Sequence, residues 1–450
     1  MYNDLLKKDA KYCSQGDTSS KHKPKKIFSS ANGCFLTDTE GNQFLDMQMF
    51  NSAANFGYQN DEYTQCMEQQ LHMLPCLAAE FMSESRILLS EKICEYMQNT
   101  YGVRGRVHFT VGGAQAVDDA IKLAINYTKS SGLFTFEGSY HGRTMAASSV
   151  SSSYRYVKRF GNVIDTYKLP FPNCAACAYG LHEDCNLYCV KQVKRLFESE
   201  FLGICDTSTS ENRYSSFLFE SVLGRGGYVF PQKDYFSALS EFFKQHHILM
   251  IADEVQMGLY RTGKMWSFEH YGIIPDIIVF GKSITNGLWP LSGIWAKEDI
   301  ISPEIWPVGS THCTFAGQPI GTALGNKTFE LLNNEKNLEY IRESEKEFEK
   351  VIRYLSDTHE YIHRAQVKGH AAGLDFFKPG TNSPATEELS KLIHLALTQP
   401  IPIEGYKTGL ILTSGGLHNS SLMLSPSVFI NKKELTIFLR LIEHYMEEVF

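Results

Sequence analysis

The segment 276–293, DIIVFGKSITNGLWPLSG, contains a short predicted β-strand that leads directly into a lysine. Residues 277–280 are apolar β-formers, and Gly281 and Lys282 follow them at once. A lysine seldom lies at the edge of a buried strand without a partner, because removing its charge from water is costly. Two interpretations follow: a surface lysine in a strand-to-loop turn, or a nucleophilic amine that reacts with a carbonyl group.

The composition of the 450-residue chain is that of a globular protein, with 43% hydrophobic and 21% charged residues. The net charge of −7 argues against a nucleic-acid partner, because phosphate contacts need clustered Lys and Arg. The basic cluster KHKPKK at 21–26 is short, and we interpret it as a solvated segment.

The sequence also predicts no membrane partner, because no segment approaches the roughly 20 uninterrupted apolar residues of a transmembrane helix. The N-terminal residues lack the apolar core of a signal peptide. Eleven cysteines in a chain with a full apolar core fit reduced thiols better than a disulfide framework. We therefore expect a cytoplasmic protein.

Short β-rich runs alternate with helical stretches through the middle of the chain, in the order RVHFTV, GLFTFE, SFLFES, HILMIADE and DIIVFGK. This alternation predicts a mostly parallel sheet sandwiched by helices. Long charged helices follow toward the C-terminus. We predict a large α/β domain at 66–324 and a smaller α+β domain at 325–450, with the N-terminal segment 1–65, including a hairpin at 33–47, packed on the smaller domain.

Open parallel sheets bind ligands at the carboxyl ends of their strands, so the residues that follow each strand are the candidate site. Gly113 and Ala114 follow RVHFTV, where backbone N–H groups at a helix start could hold a phosphate, although such glycines often serve turn geometry only. Tyr140, His141 and Arg143 follow GLFTFE. An aromatic ring there could stack on a flat ligand, or the pair could be structural.

Two carboxylates, Asp253 and Glu254, end the run HILMIADE. They either cap a turn, or one of them meets a protonated ring nitrogen; a metal-binding pair would need nearby histidines at ligand spacing. A phosphate cradle, a stacking aromatic, a buried acid and Lys282 are what pyridoxal 5′-phosphate requires. The lysine would form an aldimine with the cofactor, and the acid would keep the pyridine nitrogen protonated so that the ring accepts electrons.

The segment 251–293 resembles the class III pyridoxal-phosphate aminotransferases of fold type I. It contains Asp-Glu-Val-Gln, Arg-Thr-Gly and Pro-Asp…Gly-Lys elements in the family's order, and the resemblance extends from the 33–47 hairpin to the C-terminal helix. It implies a fold type I transferase with pyridoxal phosphate as cofactor. The implied reaction is a ping-pong transfer of an amino group, through a Lys282 aldimine, from an amino acid, ω-amino acid or diamine donor to a keto acid acceptor.

By matched position, the resemblance implies a role for each residue around the cofactor ring. Lys282 should be the Schiff-base lysine, and Asp253 should bind the pyridinium nitrogen. Val255 and Tyr140 should pack on opposite faces of the ring. Gln256 should reach its phenolic oxygen.

The resemblance also implies the phosphate site and the oligomeric state. Gly113 and Ala114 match the phosphate-binding turn, whose usual Ser or Thr hydroxyl is missing here. His141 belongs to the family's aromatic-His-Gly element, and Glu220 should support the acid near the ring nitrogen. Thr314, in THCTFAGQP, matches a threonine that donates to the phosphate of the neighbouring subunit, which implies a homodimer with shared active sites.

Two positions depart from the family pattern. Arg225 stands where many ω-aminotransferases have a glutamate, and Leu422 stands where the family usually has an arginine for the substrate carboxylate. We expect that Arg225 or Arg143 recognises the carboxylate instead, or that the amino donor has no α-carboxylate at the usual place.

A cysteine-rich segment, FPNCAACAYGLHEDCNLYCV, carries Cys174, Cys177, Cys185 and Cys189. Their spacing is compatible with a structural zinc site or with thiols that stiffen an inserted loop. The resemblance implies no catalytic metal, so no metal is assigned. The motifs also fit racemisation, epimerisation or decarboxylation on the same scaffold, and a non-catalytic cofactor-binding protein is a further alternative, against which the presence of Lys282 argues.

Overall fold

A computed structural model describes residues 2–14, 16, 25–181, 185–209 and 211–450. The strands are β1 (Phe28–Asn32), β2 (Phe35–Asp38), β3 (Gln43–Asp46), β4 (Gly105–Thr110), β5 (Gly132–Phe136), β6 (Thr166–Leu169), β7 (Tyr214–Phe219), β8 (Leu249–Asp253), β9 (Ile277–Phe280), β10 (Ser292–Lys297), β11 (Ile362–Lys368), β12 (Ala371–Phe376), β13 (Ile401–Ile403), β14 (Tyr406–Ile411), β15 (Thr413–Gly415) and β16 (Ser421–Leu424). The helices are α1 (Tyr2–Tyr12), α2 (Met49–Ser52), α3 (Asp61–Met73), α4 (Glu84–Tyr101), α5 (Gly113–Thr128), α6 (Met145–Val150), α7 (Tyr154–Val157), α8 (Tyr188–Arg195), α9 (Tyr235–Gln245), α10 (Glu298–Ile301), α11 (Pro319–Leu332), α12 (Glu335–Thr358), α13 (Thr386–Thr398) and α14 (Lys432–Glu447).

The largest sheet has seven strands in the order β4-β10-β9-β8-β7-β5-β6. Only β10 runs antiparallel to its neighbours, β4 and β9, while the other pairs are parallel. Because β10 is reversed between β4 and β9, β4 points in the same direction as the parallel strands. The carboxyl ends of β4, β5, β7, β8 and β9 therefore lie at one edge of the sheet, and the predicted mostly parallel sheet is confirmed.

Alternate residues of the central strands enter two different hydrophobic cores, one on each face of the sheet. In β9, Ile277 and Val279 pack in the core that contains α5, whereas Ile278 and Phe280 pack in the core that contains α9. All four side chains are fully buried. Helices on both faces explain why this strand reads as a continuous apolar run instead of an alternating one.

Two smaller sheets complete the structure. The predicted hairpin at 33–47 is confirmed as β2 and β3, which pair antiparallel. Strand β3 then pairs in parallel with β14, so the N-terminal segment shares a five-stranded sheet with the C-terminal part of the chain. This pairing supports the predicted packing of 1–65 on the smaller domain, whose boundaries at 66 and 325 stay predictions.

Among the described residues, no helix is both long enough and apolar enough to cross a lipid bilayer. Most of the basic cluster, residues 21–24, lies outside the described residues. Its last two lysines pair with acidic side chains, Lys25 with Asp9 and Lys26 with Asp38.

Candidate active site

Lys282 lies just beyond β9, at the carboxyl edge of the large sheet. Val279 of β9 pairs with Asp253 of β8, and its carbonyl oxygen accepts from the backbone N–H of Glu254 at 2.9 Å. Lys282 has a φ of 46°, in the left-handed region that a residue with a side chain seldom adopts outside special sites. Burial lowers the pKa of its amine to about 8, while the carboxylates of Asp253 and Glu220 act in the opposite direction.

Gly281 is required by the neighbouring strand. A Cβ at this position would overlap the Oγ of Ser292 at the start of β10. As the two strands are packed, there is no room for a side chain at residue 281.

Asp253, at the end of β8, forms a buried pair with His141. The Oδ2 atom of Asp253 lies 2.7 Å from Nδ1 of His141, and the other imidazole nitrogen lies 3.2 Å from Oγ1 of Thr135. The backbone N–H of His141 donates to Oγ of Ser151 at 2.9 Å. Hydrogen bonds on both imidazole nitrogens and on the backbone hold His141 in one orientation, and His141 in turn orients the Asp253 carboxylate.

Glu220 follows β7 and supports the loop that carries Tyr140. Its carboxylate accepts from the backbone N–H of Tyr140 at 3.1 Å and of Gly224 at 3.0 Å. Burial raises the pKa of Glu220 to about 7; the charge of His141 opposes this rise, and the nearby Asp253 carboxylate adds to it.

Glu254 is a structural acid, unlike the adjacent Asp253. Its carboxylate accepts from the backbone N–H of Ser267 at 2.7 Å and of Phe268 at 3.0 Å, and from the hydroxyl of Ser221 at 2.9 Å. Burial raises its pKa to about 7. The sequence allowed two interpretations of this acid pair. Glu254 caps a turn, as the first interpretation expects, whereas Asp253 faces the candidate site.

The Gly-Gly-Ala turn begins α5, and Gly112 at the helix start makes no side-chain cap. A Cβ on Gly112 would meet nothing within 4 Å, so open space lies beside the free N–H groups of the first turn. A Cβ on Gly113 would lie 3.0 Å from Cγ1 of Val255, and one on Gly142 would clash with the side chain of Ala114. The turns after β4, β5 and β8 therefore lie against one another, as the prediction required.

Gln256 contacts residues that the sequence did not single out. Its Nε2 donates to the hydroxyl of Tyr228 at 2.9 Å and lies 3.4 Å from Oγ of Ser52. Tyr228 also contacts Oγ of Ser425, so residues from three distant segments meet at this side chain. Neither Tyr228 nor Ser52 carries a motif signal, and only their spatial position reveals them.

Arg261 is a second buried residue without an assigned role in the sequence. Its Nη1 donates to the backbone carbonyls of His370, at 3.0 Å, and of Pro426. Its other guanidinium nitrogens have no partner among the described residues. Burial lowers the pKa of Arg261 to about 10, and its charge contributes to lowering the pKa of Lys282.

Two of the predicted substrate residues border this site. The exposed Arg143 guanidinium lies 4.1 Å from the ring centre of Tyr156 and 5.7 Å from that of Tyr140. Arg225 is half-buried, and its Nη1 donates to the carbonyl of Ser414 at 2.8 Å. Both arginines are therefore on the side of the site formed by the loops after β5 and β7.

The structure corrects the position expected for the family's substrate arginine. Leu422, in β16, is buried in the core that α12 and α14 cover, and does not face the site. The next residue, Met423, packs with Val222 and Tyr228. Because successive side chains of a strand point to opposite faces, Met423 is the β16 residue on the side of Arg225 and Tyr228.

Thr314 is not brought to the other candidate residues by contacts within the chain. It is exposed, and its backbone carbonyl accepts from Nε2 of Gln318 at 3.0 Å.

In the cysteine-rich segment, burial raises the pKa of the Cys189 thiol to about 11. Within the described residues, which omit 182–184, no group of three or more His, Cys, Asp or Glu side chains is placed to hold a metal ion, and we propose no zinc site.

A family model described as "Aminotransferase class-III" matches residues 18–446, nearly the whole chain. The chain belongs to the class-III aminotransferase family. Among curated relatives, the leucine/methionine racemase of Thermococcus litoralis is 27% identical over 92% of this chain and 88% of its own length. The diaminobutyrate–2-oxoglutarate aminotransferase of Haemophilus influenzae is 27% identical over 93% of this chain and 90% of its own length.

Solved structures of class-III aminotransferases share the fold of the chain. A transaminase from the marine bacterium Virgibacillus has a TM-score of 0.85 at 24% identity and covers 99% of both chains. An omega-aminotransferase from Paracoccus denitrificans has a TM-score of 0.86 at 22% identity, covering 99% of this chain and 98% of its own. The predicted fold type I architecture and the predicted family are both confirmed.

Proposed function

We propose that this class-III aminotransferase uses pyridoxal phosphate to move an amino group from a donor amine to a keto acid acceptor in a ping-pong cycle. The observation that carries the proposal is the position of Lys282. Its amine, with a pKa of about 8, lies at the strand edge where Asp253 is held by His141. With a pKa of about 8, roughly a tenth of this amine is in its neutral, nucleophilic form at pH 7, whereas an ordinary surface lysine has well under about a hundredth of that fraction.

The residues present fit the cofactor. Open space beside Gly112 at a helix start suits a phosphate, and Asp253 suits a protonated ring nitrogen. Val255 and Tyr140 would offer an apolar and an aromatic side chain to the two ring faces, and Gln256 would offer a polar group to the ring edge. When bound, pyridoxal phosphate supplies an aldehyde for attachment and a ring that withdraws electrons from the donor carbon.

The chain's own residues then perform the remaining tasks. Lys282 would supply the amine that holds the cofactor, and the same amine would move a proton from the donor carbon as general base and acid. The carboxylate of Asp253 stabilises positive charge at the ring nitrogen. Glu220 holds the backbone of Tyr140, which fixes the position of that ring.

We also propose a homodimer with shared active sites, located in the cytoplasm. The exposed side chains of Val308 and Phe315, which flank Thr314 in the chain, support a second copy of the chain at this surface, because large apolar groups favour burial. Thr314 would then donate to the phosphate of the partner subunit. The eleven cysteines support a reducing compartment.

A racemase is the second candidate function. Two relatives that match more than nine-tenths of this chain are named as racemases, the Thermococcus litoralis protein and an alanine/serine racemase of Pyrococcus horikoshii. Both reactions need the same proton transfer at the donor carbon, so Lys282 and Asp253 serve either one.

The two functions separate when the holoenzyme is given an amino donor without a keto acid. We expect the visible absorbance band of the bound cofactor to disappear, with release of one keto acid per site. Adding a keto acid acceptor should restore the band and yield a new amino acid. An unchanged band together with inversion of the donor's configuration would contradict the proposal and favour the racemase.

The pKa of Lys282 leads to a prediction about pH. The rate at which cofactor-free protein incorporates pyridoxal phosphate should rise with pH and level off above about 8, because only the neutral amine attacks the aldehyde. Nα-acetyl-lysine, as a control amine, should continue to gain rate up to about pH 10. Asp253→Asn should move the midpoint to lower pH, because the carboxylate raises the pKa of Lys282. A midpoint as high as that of the control amine would contradict this assignment.

A further inference from the structure

A cavity of about 690 Å³ lies beside the candidate active site. One wall comes from the loops after β5, β6 and β7, and the other comes from β11, β12 and the loop between β15 and β16. Pockets that bind drug-sized ligands typically have volumes of about 300–1,000 Å³. The cavity is therefore large enough for an elongated ligand.

The cavity adjoins the residues assigned to the cofactor. Ser139, which precedes Tyr140, and Leu223, which precedes Gly224, both line it. A Cβ on Gly224 would lie 2.9 Å from Oε1 of Gln256, so this loop borders the cofactor site on its other side. The ring of Tyr156, a cavity residue, lies 5.6 Å from the ring of Tyr140.

Two arginines of the cavity have no acidic partner. Among the described residues, no carboxylate oxygen lies within 4.0 Å of the guanidinium of Arg155 or of Arg225. By contrast, the third cavity arginine, Arg364, forms an ion pair with Asp375. Glu137, the other cavity carboxylate, is exposed.

The position of Arg225 is set by close packing between the two walls. Its Nη1 donates to the carbonyl of Ser414 at 2.8 Å, and its own carbonyl accepts from the N–H of Gly416 at 3.1 Å. A Cβ on Gly415 would lie only 2.7 Å from the Arg225 carbonyl oxygen, so glycine is needed for this approach. The guanidinium is thus held in place before any ligand binds, which lowers the entropy cost of binding.

Arg155, in α7, is exposed and lies on the same wall as Arg225, in the segment after β5. Its Nη2 donates to the hydroxyl of Tyr156 at 3.0 Å, and its guanidinium lies 5.0 Å from the centre of that ring. Burial lowers the pKa of Arg225, and the charge of Arg155 adds to that effect. Two positive charges that line one cavity without an acidic partner favour an anionic ligand.

Apolar side chains also line this cavity, among them Phe171, Leu223 and Val229. We propose that Arg155 and Arg225 form a specificity subsite for a carboxylate at the far end of a long, mostly apolar substrate whose amine reacts at Lys282. This inference rests on the proposed function, since it assigns the substrate of that same site. Met423, the β16 residue on the side of the site, is uncharged and cannot bind a carboxylate by charge. In this proposal the two arginines bind the carboxylate instead, at a greater distance from the reacting carbon.

Calorimetry with a ligand that cannot react tests the subsite directly. Hexanoate should bind the wild-type holoenzyme more tightly than hexanamide does, because a charged carboxylate makes the stronger hydrogen bonds to guanidinium groups. Arg225→Gln and Arg155→Gln should each weaken hexanoate binding by about 10–100-fold, and Arg225→Lys should restore part of it. Arg159→Gln is the matched control, because Arg159 is, like Arg155, an exposed arginine of the same segment but does not line the cavity.

Turnover provides an independent measurement. With ω-aminohexanoate and its amide as donors, the preference of wild type for the acid should fall in both glutamine variants, mainly through KM. Unchanged hexanoate affinity in both variants, or equal loss in Arg159→Gln, would overturn the subsite. Arginine-dependent hexanoate binding without any amino transfer would instead contradict the proposed function and leave the subsite standing, so the two failures are distinguishable.

Discussion

Lys282→Ala should abolish amino transfer, with a loss of at least about 10³-fold in kcat, while the protein stays folded. The variant removes both the amine that attaches the cofactor and the group that moves the proton. The Lys282 side chain forms no ion pair among the described residues. The substitution therefore deprives no buried carboxylate of an ion-pair partner. Borohydride reduction followed by mass measurement should show cofactor attached to wild type and none to the variant.

Lys282→Arg is the matched control for charge. It keeps a cation near Asp253, but a guanidinium stays protonated and does not attack an aldehyde at neutral pH. We therefore expect it to be as inactive as the alanine variant. Turnover at the wild-type rate in either variant would remove Lys282 from the mechanism.

Asp253→Asn should lower kcat by about 10²–10³-fold and leave the fold intact. The amide keeps the size of the side chain and a contact to His141, but it lacks the negative charge that stabilises a protonated ring nitrogen. Loss of one preorganised electrostatic partner in an enzyme site typically has an effect of this size. Single-turnover kinetics should show the loss in the proton-transfer step, with cofactor still attached to Lys282.

Glu254→Gln is the control because it changes the next carboxylate in the chain. Glu254 accepts from two backbone N–H groups and a serine hydroxyl, and an amide can replace only one of its two oxygens as an acceptor. We expect a loss of stability of about 1–3 kcal/mol, measured by urea unfolding, and a much smaller loss in kcat per folded enzyme. Equal kinetic losses in both variants would contradict the separate roles of the two acids.

Much of the large sheet was predictable because its signals are local. The run 277–280 has β-forming side chains that fill cores on both faces, and the residues after each strand follow directly from the chain order. Once the strands are recognised as parallel, Asp253 and Lys282 are predicted to lie at the same edge of the sheet. The hairpin at 33–47 was equally local, since its two strands and its polar turn are contiguous.

Two features that motif matching did not settle concern contacts between distant segments. Leu422 and Met423 are adjacent residues on opposite faces of β16. The sequence motif does not show which of the two faces the site. Gly281 is needed because β10 packs against it, which depends on a strand that follows later in the chain. Neither fact is encoded in a window of a few residues.

The sequence by itself predicted the family, five of the seven strands of the large sheet, and the positions of Asp253 and Lys282 at the ends of two of them, because local periodicity and motif spacing carry that information. Only the tertiary structure decided that His141 orients Asp253 across 112 residues and that Ser52 meets Tyr228 across 176. It also brought Arg155 and Arg225 to the lining of one cavity. Such contacts depend on how sheets and loops pack in three dimensions, and the free energy that selects them comes from burial shared among distant segments.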